Sequence, residues 1–91
     1  MQIRWSPEAA DSFVAICEHI RDVNPAAAQK TALTIYESAA SLATLPHRGR
    51  PGRLPNTREL VLFPLPYLIV YRVRETAVEI VRILHGAQQW P

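Results

Sequence analysis

The sequence is short of cysteine, lysine, glycine and long apolar runs. Cys17 is the only cysteine in 91 residues. It has no intrachain disulfide partner, so nothing in the chain calls for an oxidising compartment. No stretch approaches the roughly 18 consecutive apolar residues of a membrane span. The opening "MQIRWSPEAAD" meets an acid early and lacks the apolar stretch of a signal peptide. The expectation is a cytoplasmic protein that does not engage membrane. Three glycines are present, and "GRPG" lacks the strand–loop–helix setting of a phosphate loop. His19, His47 and His85 are widely separated, and with a single Cys they form no metal-ligand spacing. No metal and no cofactor is expected, and Asp, Glu and His fall into no recognisable hydrolase order.

What is present is an ordinary globular balance, 48% hydrophobic and 20% charged. The length predicts one domain over residues 1–91. Charge is unevenly placed. Residues 1–45 carry three basic and five acidic residues; residues 46–91 carry seven arginines and three acids. Lys30 is the single lysine. Arginine presents a planar fork that suits phosphates and carboxylates, so an anionic partner is expected on the C-terminal half.

"QIRW" alternates like a short strand. Ser6 then caps a helix with Pro7 in its first position, and Phe13, Ile16, Cys17 and Ile20 follow at helical spacing. That helix is expected to end near Asp22. Asn24 and Pro25 start a second helix, whose stripe is Ala28, Ala32, Ile35, Tyr36, Ala39 and Leu42. The short link predicts an antiparallel helical hairpin. "LPHRGRPGRLPNT" is too rich in breakers for a helix and reads as a loop bearing His47, Arg48, Arg50 and Arg53 without an acid. Three strands follow, at 57–63, 66–73 and 77–84, rich in Val, Ile, Leu and Tyr. Their short connectors require antiparallel neighbours, and Pro64 and Pro66 predict an irregular first hairpin. Nearly continuous apolar character in the last two strands implies a sheet covered by helices on one face and partly occluded on the other. The order β-α-α-β-β-β defines an α+β fold with a mainly antiparallel C-terminal sheet.

Arg48, Arg50, Arg53 and Arg58 cluster around the loop, while Arg72 and Arg82 sit inside apolar strands. An arginine in an apolar strand must face solvent or a partner, because unpaired burial is expensive. These six are the candidate binding residues; the plainer reading is a solvated face with structural pairs, such as Arg58 with a nearby Glu. Cys17 lies among apolar helix positions and reads as packing rather than nucleophile. His85 can serve as a general acid or base, or simply end its strand with a backbone bond. Trp90 reads as a packing anchor, with Trp90 and Pro91 expected to fold back over apolar surface near the sheet edge.

The stretches "IRWSPEAADSF", "NPAAAQKTALTIYESAASLATLPHRGRPGR", "TRELVLFPLPYLIVYRV" and "VEIVRILHGAQQWP" together resemble the toxins of the RelE/ParE superfamily, from bacterial type II toxin–antitoxin systems. The resemblance covers nearly the whole chain and implies a helical hairpin against an antiparallel sheet. Members similar to RelE cut messenger RNA in the ribosomal A site without metal, using basic residues and sometimes His or Glu. Members similar to ParE poison DNA gyrase instead. RelE-like nucleases place a catalytic arginine just after the Tyr or His that precedes "LVY", where this sequence has Leu68 in "PYLIVY". They place lysines on the preceding strand, where "RELVLF" offers only Arg58, and an Arg and a Tyr near the C-terminus, where "HGAQQWP" has neither. Phosphoryl transfer needs fixed positive charge at the developing oxyanion. The resemblance therefore implies a ParE-like growth inhibitor of gyrase without chemistry of its own, held by a cognate antitoxin in a hetero-oligomer. The alternative it leaves is a ribosome-dependent mRNA endoribonuclease using Arg58, Arg82 and His85. In either case Arg82 and His85 are expected on one face, the face that meets target or antitoxin.

Overall fold

The computed structural model describes residues 1–86. Strand β1 (Gln2–Trp5) leads into α1 (Pro7–Val23) and α2 (Pro25–Ser41); β2 (Arg50–Pro51), β3 (Arg58–Val61), β4 (Tyr67–Val73) and β5 (Ala77–His85) follow. The cap residues act as their chemistry dictates. Ser6 Oγ accepts the Ala9 N–H at 3.0 Å and donates to Val81 O at 2.9 Å, which ties the start of α1 to β5. Asn24 alone separates the helices. Its N–H closes α1 on Ile20 O, and its Oδ1 accepts the Ala27 N–H to open α2. Each such cap is worth about 1 kcal/mol.

The five strands form one sheet in the order β1-β5-β4-β3-β2. β2 through β5 are antiparallel, while β1 runs parallel to β5. The mixed sheet follows from the helical hairpin, which carries the chain back along the sheet between β1 and the C-terminal meander. Two features depart from the sequence expectation. The arginine-rich loop contributes the short strand β2, paired through Arg50↔Glu59 and Pro51↔Arg58. The expected strand at 57–63 pairs only over 58–61, because the prolines after Val61 interrupt the ladder. The connector is irregular, as expected, with Leu65 N–H bonded to Leu62 O.

The helices cover one face of the sheet. Ile69, Tyr71, Val78, Ile80 and Ile83 point to that side and pack with Ala9, Ile35, Ala39 and Leu42, with Phe13, Ile16 and Ile20 partly buried around them. Tyr36 departs from its expected place in the helical stripe. It is 57% exposed and lies at the rim, stacked on Trp5 with ring centroids 6.3 Å apart. On the opposite, outer face, Leu68, Val70 and Leu84 are also buried, with Val81 packed against them. The sheet centre is thus apolar on both sides, as the uninterrupted "LIV" of β4 implied. Trp90 and Pro91, read as a tail covering apolar surface, lie outside the described residues.

Candidate functional site on the outer face of the sheet

Directly paired residues share a face, so the register shows what the outer face displays. One row crosses β1, β5 and β4 as Arg4, Glu79 and Arg72. The next crosses β5 to β2 as Arg82, Val70, Glu59 and Arg50. A third crosses β5 to β3 as Leu84, Leu68 and Val61. With strands about 4.8 Å apart, the second row sets Arg82 and Arg50 about 14 Å apart along a line. The outer face is therefore a band of arginine and glutamate beside a band of aliphatic side chains. A break in register between Val70 and Tyr71 puts Arg82 there, since Tyr71 pairs with Ile80 and Val70 with Arg82, skipping Val81. Without that extra residue, strict alternation from Ile80 turns Arg82 toward the helices.

Glu59 organises the loop end of the band. The residue is 2% exposed. Its Oε1 accepts from Arg50 Nη2 at 3.1 Å, and its Oε2 accepts the Arg53 backbone N–H at 3.1 Å, with Arg53 Nε 4.0 Å away. Burial pushes the carboxyl up, but the Arg53 amide, the Arg50 bond and the two guanidinium charges outweigh it and hold the group below the usual carboxylate range. The Arg50 side chain keeps 55% of its surface exposed while anchored at one end. Arg72 pairs more loosely with Glu79, Nη1 to Oε1 at 3.5 Å.

The other loop arginines serve the scaffold. Arg58 faces the helix side opposite Tyr71 and spends its guanidinium on backbone. Nε and Nη2 donate to Gly49 O at 2.9 and 2.6 Å, and Nη2 also donates to His47 O at 3.2 Å. The structural pair between Arg58 and a Glu is thus not formed; Glu59 goes to Arg50 and Arg53 instead. Arg48 Nη1 donates to Ser41 Oγ at 2.8 Å, against the end of α2. Beneath them the buried Tyr71 hydroxyl donates to Pro46 O and accepts the Gly49 N–H, both at 2.8 Å. A Cβ on Gly49 would stand 2.8 Å from that hydroxyl and 2.9 Å from Glu59 O, so the loop closes this tightly only over glycine.

Arg58, Arg82 and His85 are not brought together. Arg82 is on the outer face. His85 pairs with Tyr67 on the helix side, edge-on to its ring at 5.6 Å. Arg58 shares that side but pairs with Tyr71, four residues and about 13 Å along β4. The expectation that Arg82 and His85 share a face is corrected by this alternation. Leu68, where RelE-like nucleases are expected to carry an arginine, is 8% exposed between Leu84 and Val61. Cys17 is half-buried; burial pushes its thiol up, with the Arg21 charge opposing, which disfavours the thiolate. Among the described residues no group of three or more His, Cys, Asp or Glu is placed to hold a metal, and no helix is long and apolar enough to cross a membrane.

Sequence reasoning missed Arg4, Glu59 and Glu79 as members of this face. Arg4 was legible in the alternation of "QIRW". Glu59 had a signal too, as the nearest acid to a loop with three arginines and none of its own.

The comparisons agree with this architecture. The family described as ParE toxin of the type II toxin–antitoxin system parDE matches residues 3–90. Y4kP of Sinorhizobium fredii is 41% identical over 90 residues, 99% of this chain and 93% of its own. Toxin RelE2 of Caulobacter vibrioides is 42% identical over 87 residues, 96% and 97% of the two chains. A chain of the chromosomal ParDE TA system from P. aeruginosa superposes with a TM-score of 0.84 at 30% identity, covering 93% of this chain and 95% of that one.

Proposed function

The chain belongs to the ParE toxin family of type II toxin–antitoxin systems, and from that premise we propose that it arrests growth by binding DNA gyrase in the cytoplasm, without chemistry of its own, until an antitoxin sequesters it. Leu68 is the observation that carries this reading. The centre of the outer face, where an RNA-cleaving relative needs fixed positive charge, is a buried aliphatic residue flanked by Leu84 and Val61. The remaining nuclease candidates are divided between two faces, which speaks against a concerted acid–base pair. The arginine band suits an anionic partner. Arg50, Arg53, Arg72 and Arg82 are its contact residues, and Arg48 and Arg58 hold the loop in place.

The test measures supercoiling by purified gyrase with the toxin added, beside an in vitro translation reaction probed for mRNA cuts. Loss of supercoiling with intact mRNA is expected, together with induction of a DNA-damage reporter in cells. Unimpaired supercoiling with ribosome-dependent cleavage overturns the reading.

A further inference from the structure

The two edges of the sheet are finished differently. At one end β2 is two residues long, one of them Pro51, which has no N–H to donate, and its Arg50 is engaged by Glu59. Short length and proline are the usual ways of closing an edge to further pairing. At the other end β1 is four residues long with no proline. Gln2 N–H bonds Thr76 O and Ser6 N–H bonds Ile80 O, so the even-numbered residues of β1 serve the ladder to β5. The N–H and C=O groups of Ile3 and Trp5 therefore point to the open side, and no described residue bonds them.

The side chains beside this edge are not neutral toward an occupant. Arg4 is exposed on the outer face; its one described hydrogen bond runs from Nη2 to Gln2 Oε1 at 3.2 Å, and it makes no ion pair among the described residues. On the helix side Trp5 is half-buried, stacked against the exposed ring of Tyr36. A second copy of this chain is a poor occupant. Antiparallel β1–β1 pairing that uses all four open backbone groups sets Arg4 directly opposite its own copy, with Cα atoms about 4.5 Å apart. Like charges there are destabilising. An extended segment with an acid opposite Arg4 and apolar residues on either side meets the charge and the aromatic rim together.

We propose that the open edge of β1 receives an extended apolar–acidic–apolar segment of the antitoxin, which adds a sixth strand to the sheet. The acid pairs with Arg4, and the flanking apolar side chains pack on Trp5 and Tyr36. This rests on the chain being the toxin of a two-protein module, and is independent of gyrase being its target.

The test is residue-resolved amide hydrogen exchange on the toxin alone and on its complex with the antitoxin, co-expressed from the adjoining reading frame. The amides of Ile3 and Trp5 are expected to exchange freely in the toxin alone and at least about tenfold more slowly in the complex, while Arg4 is slow in both. Arg4→Ala is expected to weaken the complex about tenfold and leave the melting temperature of the free toxin nearly unchanged, since Arg4 makes no ion pair among the described residues. Ile3 and Trp5 amides that exchange equally fast in both states overturn the proposal, as does an unaltered affinity of the Arg4→Ala protein. Protection in the toxin alone that grows with its concentration assigns the edge to a second copy, and overturns it as well. Supercoiling measured on the same free toxin reports separately on the gyrase reading.

Discussion

On the helix side of the sheet, Ile69, Val78 and Ile80 meet Ala9, Ile35 and Ala39 with no polar atom among their side chains. On the outer side, across one backbone layer, Arg82, Glu59 and Arg50 lie in line beside Leu68 and Leu84. Both faces come from the same strands, and often from adjacent residues. The helix side is assembled for burial, where each side chain is worth about 1.5–3 kcal/mol and the alternatives are other aliphatics. The outer side keeps charge at the surface and spends one buried carboxylate to hold it there. Stability resides in the first face; on the function proposed above recognition belongs to the second, and substitutions on the two should then separate accordingly.

The largest effect is expected on the helix side. Ile80→Ala removes a fully buried side chain between Tyr71 and the helices, and should cost about 3 kcal/mol. For a domain of this size that lowers the melting temperature by more than about 10 °C, measurable by calorimetry. A loss below about 1 kcal/mol would mean that the helix side is loosely filled, and the contrast between the faces would weaken.

Glu59→Gln comes next, because Glu59 is, among the described residues, the one outer-face side chain that is both buried and charged. Its two partners are left with a neutral amide, at an expected cost of about 1–3 kcal/mol. The exposed end of Arg50 holds the figure toward the lower bound. The charge also makes stability depend on pH. Folding holds the Glu59 carboxyl below its ordinary value, so the stabilisation is complete above about pH 4.3 and disappears as pH falls through the lowered folded value. Unfolding curves from pH 7 to pH 2 should show this slope in the parent and a flatter one in Glu59→Gln. Parallel curves would remove Glu59 as the organiser of the loop.

Tyr71→Phe is expected to cost about 1 kcal/mol, since Pro46 O and the Gly49 N–H lose a shared partner while the ring stays in place. Denaturant unfolding reads the stability, and faster amide exchange confined to residues 46–53 locates the damage. Loosening spread over the whole sheet would make Tyr71 a packing residue first.

The helix side was legible in the sequence because period and capping are local signals. Ser6–Pro7 and Asn24–Pro25 set both helix starts, and the apolar runs of β4 and β5 set the centre of the sheet. The outer face was legible only in part. Its arginines could be picked out, but their sorting depends on pairing between distant residues. Arg58 turns inward because Gly49 O lies beside it, and Arg82 turns outward because β5 carries one extra residue at Val81. Neither a non-local hydrogen bond nor a bulge has a strong one-dimensional signature. Tyr36 shows the same limit from the other side. Helical spacing placed it in the stripe, but at the sheet edge the stripe runs out and its ring stacks on Trp5 at the rim.

The smallest stability effect is expected at Arg72, where the contrast between the faces is most exposed to refutation. Its pair with Glu79 is 3.5 Å long, with both side chains about one-third exposed. Such a pair contributes under about 0.5 kcal/mol once solvent screening is counted. Arg72→Ala should therefore unfold within about 4 °C of the parent while its complex with the antitoxin forms more slowly and grows less sensitive to salt. Both measurements can be made on one preparation, by calorimetry and by surface-bound kinetics at two ionic strengths. A melting temperature that falls as far as in Glu59→Gln, with unchanged binding kinetics, would make the arginine band part of the scaffold, and recognition would then belong to the aliphatic band of Val61, Leu68 and Leu84 beside it.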